Sequence, residues 1–125
     1  MIFFCNDCLI MRHGRSKKIL NMPSAHRDAV ISNLMISLVK CGKIETTLAK
    51  ANVLVPYIEK LITKAKTNSL STTKYVISSM NKDVVLNIYE LAKKFANRSG
   101  GYTRITKTWR RYGDAAKTAI VEFVE

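Results

Sequence analysis

Apolar residues recur every three to four positions from Ala25 to about Cys41. Val30, Ile31, Leu34, Leu38 and Cys41 mark the stripe, and Met35 and Ile36 widen it. This spacing predicts an amphipathic helix. Ser24, following Pro23, is its expected N-cap, and Gly42 fits the left-handed stop at its other end. Cys41 continues the stripe, so it is expected as a buried structural cysteine. The segment Lys43 to Thr47 is short and partly β-branched, which predicts a short strand. Thr47 is the expected cap of a second helix over about Leu48 to Lys66, with Leu48, Ala51, Val55, Ile58, Leu61, Ile62 and Ala65 on its apolar face. Pro56 falls inside that pattern and is expected to kink the helix or divide it, because it lacks an amide donor.

The polar run Thr67 to Thr73 reads as a hinge. From Thr72 to Ser79 the residues suit a helix or a strand. Lys82 to Asn97 is clearer: Val85, Leu86, Tyr89, Leu91, Ala92 and Phe95 outline a helical face that Ser99-Gly100-Gly101 ends. The period then changes to that of a strand over Tyr102 to Trp109, followed by turn chemistry at Tyr112-Gly113-Asp114. Thr118 to Val124 reads as a closing strand. Alternation puts Ile105 inside and Arg104 outside, with Lys107 beyond the end of the buried stretch. The basic residues of this hairpin cannot all project alike unless its strand twists or bulges. Arg110 and Arg111 are expected in the loop before Gly113. Two strands alone are marginal, so the strand near Ile44 must join them. The expected fold is α+β, with three to four helices packed on a small mixed or antiparallel sheet. Residues 11–22 have no amphipathic period and read as an extended basic N-terminal arm.

The 125 residues suffice for one domain, and at 47% apolar the chain can build a core. Its charge changes the picture more. Lysine and arginine number 21 against 9 acids, a net charge of +12. Residues 11–27 hold Arg12, Arg15, Lys17, Lys18 and Arg27 with no acid, and residues 98–117 hold Arg98, Arg104, Lys107, Arg110, Arg111 and Lys117 against Asp114 alone. Charge needed only for solubility would be spread evenly. Two dense blocks around a nearly balanced middle imply binding surface for a polyanion, nucleic acid before an acidic membrane. Tyr102, Trp109 and Tyr112 lie among these charges, where they either stack on unpaired bases or, for Tyr102 and Trp109, pack in the core. His13, beside Arg12 and Arg15, reads as a phosphate donor or as an ordinary surface side chain, and His26, in the first turn of the helix, as an exposed or locally satisfied side chain.

No apolar stretch reaches the ~18 residues of a membrane span. Cys5 and Cys8 form a single CxxC. With His13 they fall short of the paired spacings of a closed zinc site, and free thiols are expected. Gly-rich phosphate loops, HExxH and GxSxG are all missing from the sequence, which argues against an enzyme. Glu45 and Glu59 are the carboxylates expected to be unusually buried. No catalytic residue, metal, cofactor, small-molecule substrate or membrane partner is expected.

Several segments together resemble a known family. They are Met11-Arg12-His13-Gly14 with Leu20; His26-Arg27-Asp28-Ala29; Ile44-Glu45-Thr46-Thr47-Leu48 with Lys50-Ala51; Glu59 through Lys66; Arg98-Ser99-Gly100-Gly101-Tyr102-Thr103-Arg104-Ile105; Gly113-Asp114-Ala115; and Val121-Glu122-Phe123-Val124. From Met11 on, the chain resembles the bacterial-type ribosomal protein family L-seventeen of the large subunit. The resemblance implies an α+β, rRNA-binding structural constituent of the ribosome near the exit-tunnel surface, with large-subunit rRNA and neighbouring ribosomal proteins as partners. It implies rRNA contacts at Arg12, His13, Arg15, Lys17, Lys18 and Arg27 in the arm, and at Arg98, Tyr102, Arg104, Lys107, Arg110 and Arg111 in the second block. It divides the chain into a non-family extension (1–10), a basic arm (11–23) and a single domain (24–125). The chain departs from the family pattern at Met22, Ser32-Asn33, Val55-Pro56 and Lys60, which suggests a divergent lineage in a mitochondrion or a bacterial cytoplasm. A free-standing RNA- or DNA-binding regulator would share the same charge map. A redox or metal module on Cys5 and Cys8 is the third reading.

Overall fold

The computed structural model of the protein describes residues 19–67, 69–80 and 82–124. Helix α1 spans Ser24–Cys41. Pro23 occupies the N-cap position and no side chain caps the helix, so Ser24 is its first residue and not its cap. The fixed φ of Pro23 starts the chain into the helix without a side-chain oxygen, and the Arg27 amide donates to the Pro23 carbonyl at 2.9 Å. At the other end Gly42 stands at φ 75° and its amide donates to the Leu38 carbonyl at 2.8 Å. Only glycine adopts that left-handed conformation without a Cβ penalty. The buried side of α1 is Ile31, Met35, Leu38 and Val39. Cys41 is therefore exposed, contrary to the sequence expectation: the stripe that covers the core runs one position away from it at the last turn.

Strand β1 (Lys43–Thr47) runs straight into helix α2 (Leu48–Thr67), so Thr47 belongs to the strand. Helix α2 continues unbroken through Pro56. The carbonyl that Pro56 leaves without an amide donor is that of Asn52, and both residues are exposed, so water can satisfy it. Buried residues occur along the whole of α2: Ala51, Val53, Leu54, Ile58, Leu61, Ile62 and Ala65. Such a helix needs neighbours on several sides. It packs mainly against helix α4 (Lys82–Lys94) and also touches α1, helix α3 (Leu70–Ser79) and the sheet.

The segment left open between helix and strand is α3. Ser69 decides it with a capping box: its side chain accepts from the Thr72 amide, and the Thr72 side chain accepts from the Ser69 amide. In α4, which ends at Lys94 instead of the expected Asn97, Val84, Val85, Ile88 and Ala92 face the core, as does Phe95 in the turn that follows, while Leu86, expected inside, is 72% exposed.

Strands β2 (Thr103–Arg110) and β3 (Lys117–Phe123) complete an antiparallel sheet in the order β1-β3-β2. In-register partners share a face. Ile44, Val121 and Ile105 form one row, and Thr46 and Ala119 lie in the next row on the same side. Val121 and Ala119 are fully buried beneath the helices. The expected α+β architecture is thus observed as four helices on a three-stranded antiparallel sheet. At its entrance, residues 19–22 depart from the expected extended arm. The Met22 amide donates to the Ile19 carbonyl at 3.3 Å, Leu20 and Asn21 take positive φ, and Leu20 packs against the core. Burying one apolar side chain turns the chain here.

Candidate nucleic-acid interface

The β2–β3 hairpin carries most of the second basic block. Its pairing is regular from Thr103↔Phe123 to Lys107↔Ala119, and then slips so that Arg110 faces Lys117. One extra residue on β2 makes a bulge, which bends and twists the strand. Thr118 braces it: its hydroxyl donates to the Trp109 carbonyl and lies 2.6 Å from the Thr108 hydroxyl oxygen. The bulge supplies the irregularity that the crowded charges required. Ile105 is half-buried on the core side, Arg104 is exposed, and Lys107 shares the face of Ala119 but extends past the core into solvent. Arg110 ends the strand instead of lying in the loop, because the register resumes after the bulge.

Arg111 does enter the turn, and its role there differs from the expected one. The Arg111 amide donates to the Ala116 carbonyl at 2.9 Å, and the Ala115 amide donates to the Arg111 carbonyl at 3.0 Å. The guanidinium closes on Asp114, with Nε donating to Oδ1 at 3.1 Å and Nη2 to Oδ2, while the Ala116 amide donates to Oδ1. These bonds hold Gly113 and Ala115 at positive φ, a conformation that costs a non-glycine residue about 1–2 kcal/mol. A guanidinium occupied in this way is a turn clamp, and its charge is cancelled locally.

The Arg111 hydrogen bond, with help from the Ala116 amide, lowers the Asp114 carboxyl from 3.8 to about 2. A depressed carboxyl stabilises the folded turn above its unfolded value and loses that contribution as pH falls through its folded value. The expected result is therefore a urea midpoint lower in Asp114→Asn than in the parent at neutral pH. The gap should close between pH 4 and about 2. A gap that stays constant across that range would contradict the clamp.

Tyr102 requires a second correction. Its side chain is 1% exposed, so no base can stack on its ring. It packs on Phe95 at 5.3 Å between ring centroids. Its hydroxyl accepts from Lys66 Nζ at 2.8 Å and lies 3.4 Å from the Thr63 hydroxyl. The Lys66 ammonium holds the phenol below its ordinary value, with Thr63 helping. Lys66 also donates to the Arg98 carbonyl and lies 4.3 Å over the Tyr102 ring. Two turns before Lys66 on α2, Glu59 accepts from the Thr103 hydroxyl at 3.0 Å. Glu59 is half-buried and Glu45 is exposed, so only the first shows any of the expected burial. Glu59, Thr63 and Lys66 thus grip the segment Arg98 to Thr103, which ties two of the sequence motifs to each other.

The remaining candidates scatter. Arg98 lies at the opposite end of β2 from Arg110 and lines a cleft with Lys43, Lys94, Phe95 and Phe123. Lys43 and Lys94 were not singled out by sequence, since each stands in a locally balanced stretch. The Arg27 side chain is only 20% exposed and sits 3.8 Å from Asp28, so most of it is covered by protein. His26 is exposed in the first turn of α1. Arg12, His13, Arg15, Lys17 and Lys18 lie outside the described residues, as do Cys5 and Cys8. The contiguous set is Lys107, Arg110 and Lys117 at the hairpin end. There the nearby acid, Asp114, is already paired, and the rings of Trp109 and Tyr112 stand in solvent. Trp109 is accordingly not a core residue. Among the described residues no group of three or more His, Cys, Asp or Glu side chains could hold a metal, and no helix is long and apolar enough to cross a membrane.

Comparison with known proteins gives a consistent result. Residues 30–124 match the family model described as Ribosomal protein L17. The chain is 47% identical over 116 residues to large ribosomal subunit protein bL17 of Campylobacter lari, covering 91% of this chain and 99% of the relative. It is 45% identical over 117 residues to the protein of the same name from Neorickettsia sennetsu, covering 91% and 100%. Against that of Nautilia profundicola it is 47% identical over 120 residues, covering 91% and 98%.

Proposed function

The chain belongs to the ribosomal protein L17 family, and we propose that it acts as a structural constituent of the large ribosomal subunit by binding large-subunit rRNA with its basic hairpin and N-terminal arm. The family is structural and not catalytic. The observation that carries this reading is the hairpin end. Lys107, Arg110 and Lys117 sit at a braced bulge, and Asp114, the acid of the same hairpin end, is paired with Arg111. Cations held in that way neutralise phosphates and release counterions. Arg104 on the outer face of the sheet and Arg98 beside Lys43 and Lys94 extend the surface towards the other end of the domain, and neighbouring large-subunit ribosomal proteins join the RNA as partners. The arm, residues 11–23, supplies Arg12, His13, Arg15, Lys17 and Lys18, and residues 24–125 form the single domain that carries it. The ribosome concerned is of the bacterial type, whether in a bacterial cytoplasm or in a mitochondrion.

Sedimentation of tagged chain from its source cells tests the reading. The chain should travel with the large subunit and remain there through a high-salt wash, because the basic arm and the hairpin together offer many phosphate contacts. Release as free protein at the salt that strips loosely bound factors would instead mark a free-standing RNA- or DNA-binding regulator.

A further inference from the structure

We propose that Trp109 and Tyr112 are stacking platforms for unpaired bases of the RNA that the hairpin end meets, an inference that rests on the rRNA-binding reading and gives that surface its preference for single-stranded segments. Trp109 is 90% exposed and Tyr112 wholly so. Large rings are ordinarily the groups that a small domain buries first. Here the backbone beneath each ring is held firmly, so their exposure is built in. The Trp109 carbonyl accepts from Thr118 across the bulge, and Tyr112 follows Arg111, whose amide, carbonyl and guanidinium are all engaged in closing the turn. A ring on a fixed backbone loses little freedom when something lies against it.

The charge around the rings selects the occupant. Lys107, Arg110 and Lys117 are cationic, and the carboxylate of Asp114 is spent on Arg111, so the surroundings favour a polyanion. A duplex offers its phosphates but keeps its base faces stacked on one another. An unpaired strand offers phosphates to the lysines and arginine and π-faces to the indole and phenol at the same time. The bulge contributes to this. By inserting one residue into β2 it interrupts the alternation that would set Trp109 in step with the core-facing positions Ile105 and Lys107.

Trp109 is the single tryptophan of the chain, so its fluorescence reports on this site alone. The full chain is titrated with oligoadenylate, with an adenylate–uridylate duplex of the same length, and with inorganic polyphosphate. Oligoadenylate should quench the indole, while the duplex and polyphosphate bind without quenching. Trp109→Ala should weaken oligoadenylate binding about tenfold and leave the log–log salt slope unchanged, because no phosphate contact is lost. Trp109→Phe should recover most of the affinity, and Tyr112→Ala should show a loss of the same kind. Equal quenching by polyphosphate, or unaltered oligoadenylate affinity in both alanine variants, would overturn the stacking role while leaving RNA binding by the hairpin intact. Failure of the parent chain to bind any of the RNAs would overturn the rRNA-binding reading and this inference together.

Discussion

Tyr102→Ala is expected to destabilise the fold by about 3–5 kcal/mol, the usual range for deleting a large buried aromatic. The ring fills the space between Phe95 and Lys66, and its loss opens a cavity there. It also strips Lys66 of one of its acceptors. Tyr102→Phe keeps the ring and removes only the hydroxyl contacts, so it should cost about 1.5–3 kcal/mol, the range for a hydrogen bond involving a charged group. Urea denaturation measures both. The two variants separate a structural role from an RNA-binding one. Tyr102→Phe should bind RNA like the parent, since its ring is out of reach in either case. Weakened RNA binding by folded Tyr102→Phe would restore the contact expected from sequence.

Lys107→Ala combined with Arg110→Ala is expected to have the largest effect on RNA binding. Each lost phosphate contact lowers the log–log salt slope by roughly 0.7–0.9, so the pair should lower it by about 1.4–1.8. Both side chains are exposed, and the urea midpoint should stay with the parent. Arg111→Ala should behave in the opposite way, with a lowered midpoint and little change in slope, because its guanidinium closes the turn on Asp114. If Arg111→Ala altered the slope as much as the pair does, its ion pair would have to open on RNA, and the hairpin tip would be a binding group and not a clamp.

These contrasts show where the sequence was informative about the site. Clustering of charge located the hairpin and raised a twist or bulge as the condition for its basic residues to project alike, but it placed Arg110 in the loop, whereas the bulge keeps Arg110 on the strand. What charge could not reveal was which cations are free. Arg111 and Asp114 are three residues apart, an interval compatible with a closed pair or with two solvated side chains. The turn geometry selects the pair. The bulge takes Trp109 out of step with Ile105 and Lys107, and a shift of one residue in register is invisible to a pattern of alternation.

Within α1, α2 and α4, periodicity alone determined the element and the approximate side it buries. Local spacing is a property of the chain and the helix repeat, so α1, α2 and the start of α4 follow from it almost to the residue, and so does the stop at Gly42, whereas α4 ends three residues before the expected Asn97. Which residue of the stripe lies deepest was decided by the neighbours. Leu86 and Ile88 differ by two positions, yet Ile88 is fully buried and Leu86 faces solvent, because α2 and α1 pack on one side of α4. Cys41 lies outside for the same reason. The family-like motifs were legible as sequence, but their meeting was not. Lys66 and Tyr102 are 36 residues apart, and only folding brings a lysine ammonium onto a phenol over that separation. A pattern read along the chain reports the interactions that helix and strand geometry repeat locally, whereas the contacts that bury Tyr102 and leave Trp109 in water are set by how those elements pack in space.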